Sequence, residues 1–290
     1  YMKFFHPLMH NNFTRSDSLA AKKLFNKNDL ILTQSKKVKE FEKKWSEWLG
    51  VKHTVFVNSG SSANFLTMAA LKLLHGKGEI IVPTLTWVSD IVSVIQNNFK
   101  PVFVDINPKN LCMSENEIIS KVNKKTLAVF ITHVQGFNAL SNKLISFLKK
   151  KKILLIEDVC ESHGATFKNK KLGTFGKISN FSFYYAHHMS TIEGGAICTN
   201  DKNIYEMVRI LRSHGMVRES NNSNFEKKMI KKYPKLSPKF IFLYPGYNFR
   251  NNEIGATIGI NQLKSLNRNN QKRKKNFKLF LKLIDKSKYR

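Results

Sequence analysis

The sequence predicts an α/β fold in which a mostly parallel, seven-stranded sheet is flanked by helices. Three observations lead there. Short β-branched runs recur between residues 53 and 199, and helical patterns fill the intervals between them. Several of these runs end in small or polar turns, as at Asn58 and Thr84, where a carboxyl-end loop faces a ligand crevice. Beyond residue 200 the pattern becomes helical.

The elements follow in order. Val38, Phe41, Trp45, Trp48 and Leu49 recur at helical spacing and predict an amphipathic helix over residues 36–49, stopped by Gly50. Strands are expected at 53–59, 79–83, 101–106, 127–132, 153–158, 178–185 and 195–199. Crossover helices are expected at 62–74, 87–97, 115–122 and 140–149, each long enough to return the chain for a parallel strand. Residues 205–213, 253–266 and 274–284 read as further helices. The interval 219–237 is lysine-rich, carries Pro234 and Pro238, and reads as a loop or lid. The expected organisation is an N-terminal helical segment (1–50), a large α/β domain (51–250) and a helical connection (251–290).

Composition narrows the class. The chain has 290 residues, 42% of them hydrophobic, which is enough for one large core or two modest ones. A formal net charge of +29 raises nucleic acid or an anionic membrane as partners. Neither is expected, because the lysines are scattered from end to end and accompany an excess of Asn and Ile, the mark of a compositional bias. The local runs at 149–152, 227–232 and 268–275 read as solvated surface. Cys112, Cys160 and Cys198 lie far apart without a Cys-x-x-Cys pair, so no zinc ribbon or iron-sulfur cluster is indicated and a reducing cytoplasm is the expected location. No apolar run approaches the ~18 residues of a membrane span, and no signal-peptide pattern opens the chain.

Four places carry chemistry. Asn58-Ser59-Gly60-Ser61-Ser62-Ala63-Asn64 closes the first strand and opens a helix, so it serves either as a phosphate cradle or as a plain N-cap. Trp87 follows the second strand, where its indole can stack on a flat ring or pack on the core. The fifth strand ends in Glu157-Asp158, followed by Glu161. A carboxylate there can pair with a protonated ring nitrogen or cap a helix. Finally, Ser182 precedes His187-His188 and Glu193-Gly194-Gly195, with a hydroxyl suited to a phosphate and glycines suited to a sharp reversal. Adjacent histidines on a strand point to opposite faces and lack an acidic or cysteine companion, which argues against a metal.

An ordered series of motifs joins these places. It runs through Leu32-Thr33-Gln34 with Val38 to Glu42, Gly60-Ser61-Ser62-Ala63-Asn64, Val82-Pro83 with Trp87, and Phe103-Val104-Asp105. It continues through Glu157-Asp158 with Glu161-Ser162-His163-Gly164, Gly173-Thr174-Phe175-Gly176, Glu193-Gly194-Gly195, Arg212-Ser213-His214-Gly215 and Gly246-Tyr247-Asn248-Phe249-Arg250. In order and spacing the series resembles the DegT/StrS family of nucleotide-sugar aminotransferases, which have the aspartate-aminotransferase (type I) pyridoxal-phosphate fold. The family's cofactor lysine lies six positions before the glutamate of Glu193-Gly194-Gly195, a position held here by His187. Residues 178–201 contain no lysine at all. A lysine amine forms a covalent imine, whereas an imidazole only takes and gives protons. The exchange is similar to the family's dehydratase branch, in which the first histidine of a pair replaces the lysine.

The resemblance implies pyridoxal 5′-phosphate or pyridoxamine 5′-phosphate as cofactor, a nucleotide-linked 4-keto-6-deoxy sugar as substrate, and loss of its C3 hydroxyl. Catalytic residues would be His187, His188 and Glu161. The cofactor would be bound by Gly60, Ser61, Ser62, Trp87, Asp158, Glu161, Ser182 and Asn248, with Asn248 reaching the neighbouring subunit's cofactor in a homodimer. Glutamate would be the amino donor, and cell-envelope polysaccharide the pathway. Departures are Ser35, where glycine is common, and the lack of about another hundred residues, an ordinary small domain, so the chain is expected to be a fragment. Rival readings are a transaminase using Lys171 or Lys177, a non-catalytic relative, and a nucleic-acid binder.

Overall fold

The computed structural model describes residues 11–26, 28, 30–285 and 287–288, so the first ten residues of the expected N-terminal segment lie outside the described residues. Helices α1 (Arg15–Phe25) and α2 (Lys36–Leu49) lead into β1 (His53–Val57). Then come α3 (Gly60–His75), β2 (Glu79–Pro83), α4 (Val88–Gln96), β3 (Lys100–Val104), α5 (Glu115–Lys121), β4 (Thr126–Thr132), α6 (Asn142–Lys151) and β5 (Leu154–Asp158). A short hairpin, β6 (Thr166–Phe167) and β7 (Lys170–Lys171), precedes β8 (Ile178–Ser182) and β9 (Gly195–Thr199). The chain ends in α7 (Lys202–Arg212), α8 (Ser223–Lys232) and α9 (Glu253–Leu283).

The main sheet has seven strands in the order β1-β9-β8-β5-β4-β2-β3. Pairs β8–β5, β5–β4, β4–β2 and β2–β3 are parallel, as expected from the crossover helices. Strand β9 is inserted antiparallel between β1 and β8, with Val57 opposite Gly195 and Ser182 also opposite Gly195. Because side chains alternate along a strand, each central strand feeds two cores. Val55, Val57, Ala128, Phe130, Ile156 and Ile178 pack with Leu66 and Ala70 of α3, Val94 of α4 and Val208 of α7. Phe56, Val129, Ile131, Leu155 and Phe181 pack with Phe41 and Trp45 of α2, Leu144 of α6 and Leu266 of α9.

Two buried acids tie the helices to the sheet. Glu42 of α2 lies 2.7 Å from the Arg212 guanidinium and accepts from the Phe56 amide at 2.9 Å, while Arg212 also donates to the Phe56 carbonyl at 2.8 Å. Glu253, at the start of α9, accepts from the backbone N–H groups of Ser35, Lys37 and Val38 at 2.7–2.9 Å. Those are amides that the first turn of α2 cannot satisfy within the helix. Ser35 itself makes no side-chain cap. Glu253→Ala is therefore expected to cost about 1.5–3 kcal/mol, read by chemical denaturation against the parent chain.

The structure departs from the sequence expectation in three places. Residues 219–237 are not a plain loop. They contain α8, which Asn222 caps by accepting from the Phe225 amide at 3.1 Å, and whose Met229 packs on Val217 and Ile241. The two expected terminal helices are one continuous 31-residue α9, whose basic stretch 268–275 is mostly solvent-facing and contains no Gly or Pro. Strand β8 stops at Ser182 instead of 185, because the Phe183 amide bonds the Gly194 carbonyl and the Thr191 amide returns to the Phe183 carbonyl. Residues 184–194 thus form a loop.

Candidate active site

The strand period that divides the cores also divides the two acids closing β5. Glu157 points toward the α2 side, where it accepts from the amides of Gly173, Phe175 and Gly176 at 2.6–2.9 Å and contacts His133 Nε2 at 3.0 Å. It fastens the Gly173 to Gly176 loop. Asp158 points the other way, toward α3, where it is 5% exposed. It accepts from the Cys160 amide at 2.9 Å and from Asn64 Nδ2 at 3.2 Å.

On β8 the same period sends Asn180 and Ser182 toward α3, where Thr67 bonds Asn180. A Cβ placed on Gly60 would lie 2.6 Å from the Ser182 Cβ, and one on Gly195 would lie 2.2 Å from the Ser59 carbonyl oxygen. Only glycine permits β8, β9 and the N-terminus of α3 to approach this closely. The Ser59 hydroxyl caps that terminus, accepting from the Ser62 amide at 3.0 Å and donating to the Ser62 hydroxyl at 2.9 Å. Ser61 remains exposed on the first turn. The cap thus falls to Ser59, and the Ser61 side chain takes no part in it.

His187 and His188 lie on the loop after β8. The carbonyls of Tyr185 and His187 accept from Asn12 Nδ2 at 3.0 and 3.3 Å, and the Ser190 amide donates to Gln262 of α9 at 2.8 Å. The buried His163 ring lies beside the pair, with centroids 6.1 Å from His187 and 5.2 Å from His188. Burial pushes the His188 imidazole down to about 3, with the charges of Arg273 and His187 adding to the effect. Burial also lowers His187, opposed by the negative charge of Asp158. Both rings are therefore neutral bases at neutral pH. Neither lysine of the transaminase reading takes His187's place: Lys177 pairs with Asp201 at 2.6 Å, at the opposite end of β8 from Ser182, and Lys171 lies 5.0 Å above the Trp48 ring.

The remaining expected residues lie at the surface. Trp87 occupies the N-cap position of α4 and is 70% exposed. Glu161 is exposed and accepts from the Gln135 amide at 3.2 Å. Asn248 is exposed and accepts from Arg250 Nε at 2.9 Å.

Sequence reasoning missed one member of the crevice. Asp90 of α4 is fully buried, accepts from Asn64 Nδ2 at 2.6 Å and from the Thr132 hydroxyl at 2.7 Å, and is also bonded by Thr86. The available signal was an acid four residues before Val94, on the apolar face of its helix.

This donor set fits the pyridoxal phosphate implied by the resemblance. Asp158 can face a protonated pyridine nitrogen. The N-terminus of α3, with Ser61 and Ser182 beside it, can face a phosphate. The two glycines keep side-chain bulk out of the junction between them.

Comparison with known proteins agrees with this fit. Residues 15–289 match the model of the DegT/DnrJ/EryC1/StrS aminotransferase family. GDP-4-keto-6-deoxy-D-mannose 3-dehydratase of Escherichia coli O55:H7 is 36% identical over 257 residues, covering 87% of this chain and 66% of that protein. The enzyme of the same name from Yersinia pseudotuberculosis is 32% identical, covering 98% of this chain and 72% of its own length. A crystal structure of GDP-4-keto-6-deoxymannose-3-dehydratase with bound GDP-perosamine superimposes with a TM-score of 0.85 at 32% identity, covering 96% of this chain and 72% of that one. The E. coli enzyme with bound hydrated PLP gives 0.84 at 33% identity, covering 96% and 72%. The chain spans about two thirds of the length of these relatives. It belongs to the DegT/DnrJ/EryC1/StrS aminotransferase family.

Proposed function

We propose that this chain is a pyridoxal-phosphate-dependent sugar 3-dehydratase, removing the C3 hydroxyl of a nucleotide-linked 4-keto-6-deoxy sugar. One observation carries the reading: an uncharged imidazole, His187, held in the field of Asp158, at the position where the family has its lysine. Relatives named as 3-dehydratases support it. The strongly positive chain also suits an anionic nucleotide.

Each residue has a task in this reading. Asp158 holds the proton on the pyridine nitrogen. Ser61, Ser62 and Ser182 bind the phosphate, with Gly60 clearing the approach. Trp87 covers one face of the ring, and Asn248 reaches the phosphate in the second subunit of a homodimer. When bound, the cofactor supplies an electron sink. His187 would be the acid–base group beside the bound ring, able to take up a proton there and to give it to the departing C3 oxygen, which leaves as water. His188, kept neutral, adds no competing positive charge beside it. Glu161 lies on the substrate side. Glutamate resets the cofactor as amino donor, and the setting is cytoplasmic deoxysugar synthesis. Among the described residues no helix is long and apolar enough to cross a membrane.

The test uses the full-length protein with pyridoxal phosphate, glutamate and a panel of GDP-, CDP-, UDP- and dTDP-linked 4-keto-6-deoxy sugars. Mass spectrometry should find a product lacking the C3 oxygen, with ammonia released. Borohydride reduction of the loaded protein should leave every lysine unmodified. A pyridoxyl-lysine peptide, or an aminated sugar that retains its C3 oxygen, would instead mark a transaminase, the activity named for a relative from Campylobacter jejuni.

A further inference from the structure

The floor of the crevice holds two carboxyl groups where one suffices. Asp158 closes β5, and Asp90 lies behind it on α4, with no exposed surface. A single side-chain amide bridges them: Asn64 Nδ2 is 2.6 Å from Asp90 Oδ1 and 3.2 Å from Asp158 Oδ2. Asn64 is itself fixed, because its Oδ1 accepts from Asn180 at 2.9 Å and Thr67 holds Asn180 at 2.9 Å. The other Asp90 oxygen meets the hydroxyls of Thr86 and Thr132, which lie 2.8 Å from each other. The polar groups around Asp90 are amides and hydroxyls, and the ionisable neighbours are Asp158 and the Cys160 thiol. That thiol is pushed well up by burial and by the Asp158 charge, so it stays neutral. No cation is among the groups that set the charge state of Asp90.

Two adjacent anions without a cation, in a dry interior, are strongly unfavourable, and the usual resolution is that one carboxyl keeps its proton. Asp158 has the outlet: it keeps a small exposed surface and its charge reaches His187. Asp90 has none, and burial followed by the Asp158 charge pushes its carboxyl well above the ordinary range. Hydroxyl partners suit a protonated acid, because each can turn from donor to acceptor.

We propose that Asp90 is a positioning residue: an uncharged carboxyl that donates a hydrogen bond to Asp158, holds it in place with Asn64, and leaves Asp158 as the single negative charge at the floor of the crevice. The role in orienting a cofactor rests on the reading of the crevice as a pyridoxal-phosphate site. The charge state of Asp90 does not. A second ionised carboxyl would raise the negative potential under the ring and around His187. A neutral one fixes the direction of Asp158 without adding charge.

The experiment compares the parent chain with Asp90→Asn, which keeps a neutral donor and acceptor, and Asp90→Ala, which keeps neither. Thermal unfolding of the cofactor-free proteins is followed between about pH 4 and pH 8. In the unfolded chain Asp90 ionises near its ordinary pKa of about 3.9; in the folded chain it ionises higher. Its contribution is therefore fully present below about pH 4 and is lost as pH rises toward the folded value. Asp90→Asn lacks this loss, so its Tm advantage over the parent should widen with pH. A constant gap between the two across the range would mean an ionised Asp90 and would overturn the proposal.

Absorbance titration with pyridoxal phosphate is the second readout. Asp90→Asn should retain affinity within about threefold, whereas Asp90→Ala, which loses the hydrogen bond that orients Asp158, should weaken it by about tenfold or more. Equal weakening in both variants would mean that the charge is required, and would also overturn it. If the parent chain binds no pyridoxal phosphate, the cofactor reading fails, while the unfolding measurement still decides the charge of Asp90.

Discussion

Replacing His187 by alanine is expected to lower dehydration by about 10²–10⁴-fold, the usual worth of a positioned acid–base group. The fold should survive, because His187 is only part-buried on the loop after β8 and the fixed contact there is its backbone carbonyl with Asn12. Cofactor uptake should also persist, since no covalent bond to the protein is needed, so the loss should fall on turnover more than on binding. The pH profile carries a second signature. Burial lowers the His187 imidazole below its ordinary pKa of about 6.5, with only partial opposition from Asp158. The base thus remains unprotonated below that value, and the acid limb of kcat/KM should fall off at lower pH than for a free imidazole. Retained turnover in His187→Ala, in a steady-state assay with the matched sugar, would remove His187 from the chemistry.

Arg212→Leu should give the largest stability loss in the chain, about 3–5 kcal/mol. Arg212 has no exposed surface, and among the described residues its close ionic partner is Glu42. Burial alone would favour an uncharged Arg212, and the Glu42 carboxylate opposes that. Removing the guanidinium leaves Glu42 buried with the Phe56 amide as its main neutral donor, and with the Arg209 guanidinium 3.8 Å away. Thermal unfolding should move down by roughly 6–20 °C for a domain of this size. Combining Arg212→Leu with Glu42→Gln should recover much of the loss, because the penalty arises from the stranded charge rather than from the missing pair.

Much of this architecture could be read from local pattern. Strands 79–83 and 195–199 and helix 36–49 match the structure to the residue, because each is a short apolar run or amphipathic stripe with a sharp stop. Helix α8 was hidden because its lysines and the following prolines outweighed a short apolar stripe, Phe225, Met229 and Ile230. The polar middle of α9 concealed its continuity for a related reason: a solvent-facing stretch has no apolar stripe to detect, although nothing in it breaks a helix. In the crevice, Asp158, Ser182 and His187 were legible from motif order. Glu157 was seen only as half of an acid pair, and strand parity gives it a different task. Asp90 was overlooked: its place on the apolar face of α4 marked it as buried, but its partners, Asn64, Thr132 and Asp158, come together only when α3, β4 and β5 pack.

The position of β9 has a consequence for how the molecule is made. Strand β1 leaves the ribosome early, yet its sheet neighbour is β9, and His53 waits for Thr199 to be synthesised. At about 5–20 residues per second, that interval is on the order of 10–30 s. Until then the nascent segment has an unpaired backbone edge, and the helix start that Ser59 caps lacks the Gly195 floor against which it rests. A truncated chain ending before residue 195 should therefore contain all five strands of the parallel part and lack the β9 strand against which β1 and the start of α3 rest.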